Sequence, residues 1–203
     1  MSQTNRKHRG GLDPTKYLTP QELDALIEYA RARAEKRGSE RAKTDHLIVH
    51  ILAGAGLRAA DLCNLTLQDL PGYHKKTAIF IRDGKGNVSR TVEISERLQG
   101  HISQFIREYR AGALITDPLI LGSRGKPIAY RTIWNKIRNI GKDMDIPGGL
   151  YPHRIRHSFA VKLYAQEKDL LFVGQQLGHA DVRTTQIYAK TTSEAARRQM
   201  KGM

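Results

Sequence analysis

One stretch of the 203-residue chain reads as β-structure, and that limits every other assignment. "TAIFI" and "SRTVEI" alternate or run apolar on either side of "RDGKGN", which predicts an antiparallel hairpin with Lys85 in its turn. The remainder is helix punctuation. In "LTPQELDALIEYARARAEKRG", Thr19 is an N-cap, Pro20 suits the first helical position, Glu22 completes a capping box and Gly38 ends the helix. A second helix is predicted over Glu40–Ala53, with Leu47, Ile48, Ile51 and Leu52 inward. "GAGLRAADLCNL" breaks and restarts as a short helix that sets Arg58 and Asp61 one turn apart. Helical patterns return at Ser95–Arg110 and Tyr130–Met144. Pro147, Gly148 and Gly149 mark a loop before "YPHRIRHSFAVKLYAQ". A short helix over Asp169–Leu177 and a polar C-terminal helix complete a mostly helical α+β chain without internal repeats.

Charge narrows the partner. Lys and Arg number 34 against 20 Asp and Glu, a formal +14, which favours a polyanion: nucleic acid or an anionic membrane surface. No apolar run approaches the roughly 20 residues of a bilayer span, and no signal peptide opens the chain, so nucleic acid leads. The segment 1–16 carries +3 and almost no apolar residues, predicting a flexible basic tail; +11 stays with residues 17–203. Cys63 is the only cysteine, which rules out an internal disulfide and a multi-cysteine zinc site and fits a reducing, cytoplasmic setting.

Taken singly, the chemically capable residues have plain structural readings. His153 and His157 in "HRIRH" have zinc-ligand spacing, but a metalloprotease needs a glutamate beside the first histidine, and here Arg154 and Arg156 surround the pair and oppose a metal. His153 and Arg156 share a helix face, either solvated or suited to a phosphate. Arg58 follows two glycines at a helix start, to bind an anion or simply to pair with Asp61. Lys85 is a solvated turn lysine or a proton donor. His179 is a helix C-terminal histidine or a phosphate ligand. Tyr188 is a core or boundary residue unless its hydroxyl has work to do.

Together these residues form the inventory for metal-free attack on a phosphodiester. Two guanidiniums and an imidazole can neutralise a pentacoordinate phosphorane. A lysine or histidine can protonate the leaving oxygen, and another histidine can take the nucleophile's proton. A tyrosine, ordinarily of pKa about 10, becomes a competent nucleophile among such cations.

The ordered set resembles the catalytic domain of the tyrosine recombinases, the phage integrase family. Four separated stretches carry the resemblance over about residues 17–203: "GLRAADL", "GKGNVSRTVEI", "HRIRH" and "LGHADVRTTQIYAK". It implies an integrase-type fold with a small three-stranded antiparallel sheet. It implies that Tyr188 forms a 3′-phosphotyrosine and frees a 5′-hydroxyl, with Arg58, Arg156 and His179 on the non-bridging oxygens. Lys85 would be the general acid, His153 would handle the nucleophile's proton, and Asp61 would support Arg58. No cofactor or metal is implied. The expected partner is double-stranded DNA, with a homotetramer on paired sites and a cytoplasmic, nucleoid-associated setting; no membrane is involved.

The chain departs from the family in lacking an N-terminal core-binding domain before residue 17. It is expected to be a naturally minimal recombinase, to borrow that half from a separate partner, or to be a piece of a longer protein; Met1 favours a natural start. Two other functions share the features: a type IB topoisomerase-like enzyme that relaxes supercoils, and a DNA-binding regulator that retains the fold. The C-terminal "SEAARRQMKGM" resembles a tail docked onto a neighbouring protomer, which favours the recombinase.

Overall fold

A computed structural model of the chain describes residues 11–71, 77–84, 88–179 and 184–201. Eight α-helices and one hairpin make up the described architecture: α1 (Pro20–Arg37), α2 (Glu40–Ala55), α3 (Ala59–Cys63), β1 (Ala78–Gly84), β2 (Val88–Glu93), α4 (Glu96–Tyr109), α5 (Tyr130–Asp143), α6 (Pro152–Glu167), α7 (Leu170–Leu177) and α8 (Gln186–Lys201). Among the described residues no helix is long and apolar enough to cross a membrane.

The predicted caps are in place. Thr19 Oγ1 accepts from the Glu22 amide while Glu22 reaches back to the Thr19 amide, and Gly38 closes α1 in the left-handed region at φ 62°. Helix α2 is the hub, packed by α1, α4, α5 and α6. Its Leu47, Ile48, Ile51 and Leu52 are wholly buried, as their spacing predicts. It runs to Ala55, beyond the expected Ala53, and turns at Gly56 with φ 60°. A Cβ on Gly56 would lie 2.2 Å from the Phe159 ring, so the backbone turns there only because no side chain intervenes.

Two expectations are corrected. The sheet has two described strands rather than three, with Ile79 opposite Val92 and Ile81 opposite Arg90. The remaining antiparallel pairings, Thr66 with Pro118 and Leu121 with Pro127, are isolated bridges. Each has a proline, which has no N–H to extend a ladder. Part of the segment expected to be a flexible tail is packed: residues 11–16 are held on the fold, and 1–10 lie outside the described residues. Leu12 is buried, the Gly11 amide donates to Glu194 at 2.9 Å, and the Leu12 amide donates to Thr191 Oγ1 at 2.7 Å. Pro14–Lys16 form a 3-10 turn. Residues 11–16 thus strap the start of the chain onto α8, because one leucine and two amides find partners there.

The core has two parts. The larger is built on α1, α2, α4, α5 and the hairpin. The smaller gathers Leu12, Tyr17, Phe159, Ala160, Val161, Val173, Leu177 and Tyr188, and it holds α6, α7 and α8 together. Tyr188 therefore sits in a core.

Candidate active site

The site forms where the left-handed turns ending α2 and α7 meet the start of α6. Arg156, on the first turns of α6, is 3% exposed. Its Nη1 donates to the Gly56 carbonyl at 2.7 Å and its Nη2 to the Leu177 carbonyl at 2.5 Å. Both acceptors are carbonyls left over at helix ends, so one guanidinium satisfies two orphan groups and fixes its own position. Arg58 follows the Gly56 turn as N-cap of α3. Its Nη2 donates to the Gly178 carbonyl at 3.3 Å, while its Nη1 makes no hydrogen bond and lies 3.9 Å from Asp61. Beside the two arginines is a cleft of about 210 Å³ lined by Tyr130, Pro152 and His153.

Arg154, next to Arg156 in sequence, does a different job. Its Nη1 donates to the Pro147 and Gly149 carbonyls and so anchors the loop before α6.

One turn apart on α6, His153 and His157 pack edge to face with ring centroids 4.4 Å apart. His157 Nδ1 lies 3.2 Å from the Tyr188 hydroxyl, close enough for a hydrogen bond. Tyr188 is on the first turn of α8 and is 2% exposed. The His179 ring stacks near Tyr188 at 6.2 Å between centroids, and its Nδ1 is 3.0 Å from Thr185 Oγ1.

Burial dominates the electrostatics. It pushes the Tyr188 phenol above its ordinary pKa; Arg156 and Arg58 pull the other way without reversing it. The resting hydroxyl is therefore protonated at neutral pH. Burial, then the Arg58 charge, brings Arg156 down to about 10, so it remains a cation. Burial is also the first cause of the low values of His179 and His157, each about 4. Arg156 and Arg58 add to it at His179, and His153 and Arg156 add to it at His157. His153 is lowered by burial and the same two arginines. The imidazoles are thus neutral and able to accept a proton.

The structure brings together Arg58, His153, Arg156, His179 and Tyr188 from four chain segments; Lys85 lies outside the described residues. Asp61 differs from its expected role in one respect. Its carboxylate accepts from Arg90 at 2.7 Å, closer than its 3.9 Å approach to Arg58. It also accepts weakly from the Arg58 amide at 3.4 Å. Arg90, on β2, was not singled out by sequence reasoning, although it lies inside "GKGNVSRTVEI". Its side chain packs so closely on Gly178 that a Cβ there would fall 2.6 Å from Arg90 Cδ. His157 was weighed only as half of a metal pair. Its signal was the second histidine of "HRIRH", one turn beyond His153.

The profile of the phage integrase family matches residues 16–195, and the chain belongs to that family. Tyrosine recombinase XerA of Pyrococcus furiosus is 32% identical over 185 residues, which cover 88% of this chain and 58% of that protein. The crystal structure of XerA recombinase is similar with a TM-score of 0.74 and 32% identity, over 91% of this chain and 63% of that one. XerH site-specific recombinase, solved with its difH substrate before cleavage, shares the fold with a TM-score of 0.70 at 23% identity, over 89% and 52% of the two chains. The chain spans little more than half the length of the curated relatives it matches.

Proposed function

We propose that this chain is the catalytic part of a site-specific DNA recombinase that breaks and rejoins strands through Tyr188. The observation that carries the reading is the convergence of two cationic guanidiniums and neutral imidazoles on one buried phenol. Arg58 and Arg156 would hold the non-bridging oxygens of a scissile phosphate, with His179 assisting. The Tyr188 oxygen attacks phosphorus and gives its proton to a neutral imidazole, His153 by the family pattern or His157 by hydrogen bonding. The bond to the 5′ oxygen breaks, and Lys85 supplies the proton for that leaving group. The 3′-phosphotyrosine keeps the ester's energy, so a 5′-hydroxyl from a second strand can reverse the step without a nucleotide cofactor.

The +14 charge supports duplex DNA as the partner. A homotetramer on paired sites, a core-binding half supplied elsewhere, and a nucleoid setting in the cytoplasm complete the proposal. A type IB topoisomerase would use the same chemistry without strand exchange. The two are separated by offering the protein a nicked two-site DNA with a labelled 5′-hydroxyl acceptor, alongside a supercoiled plasmid without sites. Joining to the acceptor supports the recombinase. Plasmid relaxation without joining would support the topoisomerase, and binding with neither reaction a regulator.

A further inference from the structure

Away from Tyr188, three more histidines meet between two helices. His46 and His50 stand one turn apart on α2, and His101 comes from α4. Ring centroids are 4.1 Å apart for His46 and His101, 5.2 Å for His50 and His101, and 5.8 Å for His46 and His50. We propose that these three imidazoles form a site for a divalent transition metal, zinc foremost, that clamps α2 to α4.

The geometry carries the proposal. Each ring offers a nitrogen within 4.8 Å of the others, and His50 Nδ1 lies 2.9 Å from His101 Nδ1. With zinc–nitrogen bonds of about 2.0–2.1 Å, two ligands of a tetrahedral centre stand about 3.4 Å apart. The 2.9 Å approach of His50 and His101 lies inside that value and the 4.8 Å limit on the group lies beyond it, so small ring adjustments bring the three nitrogens onto one centre. A set of imidazoles selects zinc, copper, nickel or iron, whereas calcium and magnesium require oxygen ligands.

Three protein ligands leave a fourth position open. The three histidines line a cavity of about 260 Å³ whose walls also include Glu35 and Glu108, room for a water or a carboxylate in that position. Lys43, Arg31 and Arg97 add positive charge to this cavity, but the two arginines are paired with carboxylates, Arg31 with Glu28 and Glu35 and Arg97 with Glu28. Their repulsion of a bound cation is thereby reduced. The site is separate from the chemistry proposed at Tyr188. Its expected effect is mechanical: α2 ends at Gly56, whose carbonyl seats Arg156, so a metal on α2 and α4 stiffens the helix that leads into the active site.

The test uses the full chain, stripped with chelator and titrated with cobalt(II) as a spectroscopic stand-in for zinc. Wild-type protein should develop the intense visible bands of tetrahedral cobalt, bleached by added zinc, and its Tm should rise with zinc concentration. His101→Gln and His50→Ala should each weaken cobalt binding at least about 100-fold, since loss of an outer-shell partner alone costs 10–100-fold. His153→Ala should leave the spectrum unchanged. Circular dichroism checks that each variant folds. If the wild type gives no visible bands at excess cobalt, the proposal fails whatever the variants do. It fails equally if the bands survive in folded His101→Gln or vanish in His153→Ala.

Discussion

The Tyr188 hydroxyl lies 3.2 Å from His157 Nδ1, with the phenol 2% exposed and its pKa raised by burial. A protonated phenol is thus held by a neutral imidazole, and in the proposed mechanism it loses its proton only as it attacks a bound phosphate. Tyr188→Phe should abolish covalent adduct while DNA affinity stays within about twofold, because only a hydroxyl is lost. His157→Phe should slow cleavage while preserving the ring's packing. Gel shifts and single-turnover cleavage measure the two effects; a His157→Phe rate equal to wild type would remove that residue from proton handling.

Asp61 and Arg90 make the next prediction. The pair is mostly buried, with side-chain exposures of 8% and 10%, so Arg90→Ala leaves the carboxylate with the Arg58 amide at 3.4 Å and the Arg58 guanidinium at 3.9 Å. Arg58 should then be drawn towards Asp61 and away from phosphate. Cleavage should fall at least about tenfold, and Asp61→Asn combined with Arg90→Ala should recover part of the loss. Unchanged cleavage in Arg90→Ala would show that the pair does not position Arg58.

Gly56→Ala tests the turn that seats both arginines. The new methyl would meet the Phe159 ring at a backbone φ of 60° that alanine resists. A loss of about 1–3 kcal/mol in urea denaturation is expected from the overpacking alone, together with slower cleavage because the Gly56 carbonyl anchors Arg156. A fully stable, fully active variant would contradict the seating.

Stability should depend on pH through the buried imidazoles. His157 and His179 have folded values of about 4 against the ordinary 6.5, so between these limits the unfolded chain binds more protons. Their stabilising effect is complete above about pH 6.5 and is lost as pH falls towards 4. The urea midpoint should be flat from pH 8 to 7 and drop steadily below 6.5. Nuclear magnetic resonance titration should place both rings' protonation near pH 4. A ring titrating at 6.5 would contradict its burial.

Local rules made much of this legible in the sequence. The Thr19–Glu22 box, the Gly38 stop and the α2 core positions follow from caps and periodicity, which depend on neighbours in the chain. Arg58, Asp61, His153, Arg156, His179 and Tyr188 stand out in the sequence because the family motifs keep their order, and the fold gathers them in one place. What was not legible depends on distant partners. Residues 11–16 look like solvent-exposed tail until α8 offers Thr191 and Glu194. His46 and His101, 55 positions apart, are unrelated until α2 and α4 pack. The bond between His157 and Tyr188 likewise awaits the docking of α8 on α6.

Salt should weaken DNA binding steeply. Each phosphate neutralised contributes about −0.9 to the log–log slope. A chain of +14 should therefore show a slope of several units, and a slope near zero would contradict the polyanion reading.

Covalent catalysis by Tyr188 can be read out with a suicide-substrate trap. A duplex nicked just beyond the scissile phosphate loses its short 5′-hydroxyl fragment after cleavage, which strands the intermediate on the protein. With EDTA present throughout, the account predicts a DNA–protein adduct that mass spectrometry of the tryptic digest maps to Tyr188, and no adduct with Tyr188→Phe. An adduct on another residue, such as Tyr151, or cleavage that stops with chelator and resumes with added metal in His101→Gln as well as in wild type, would contradict it.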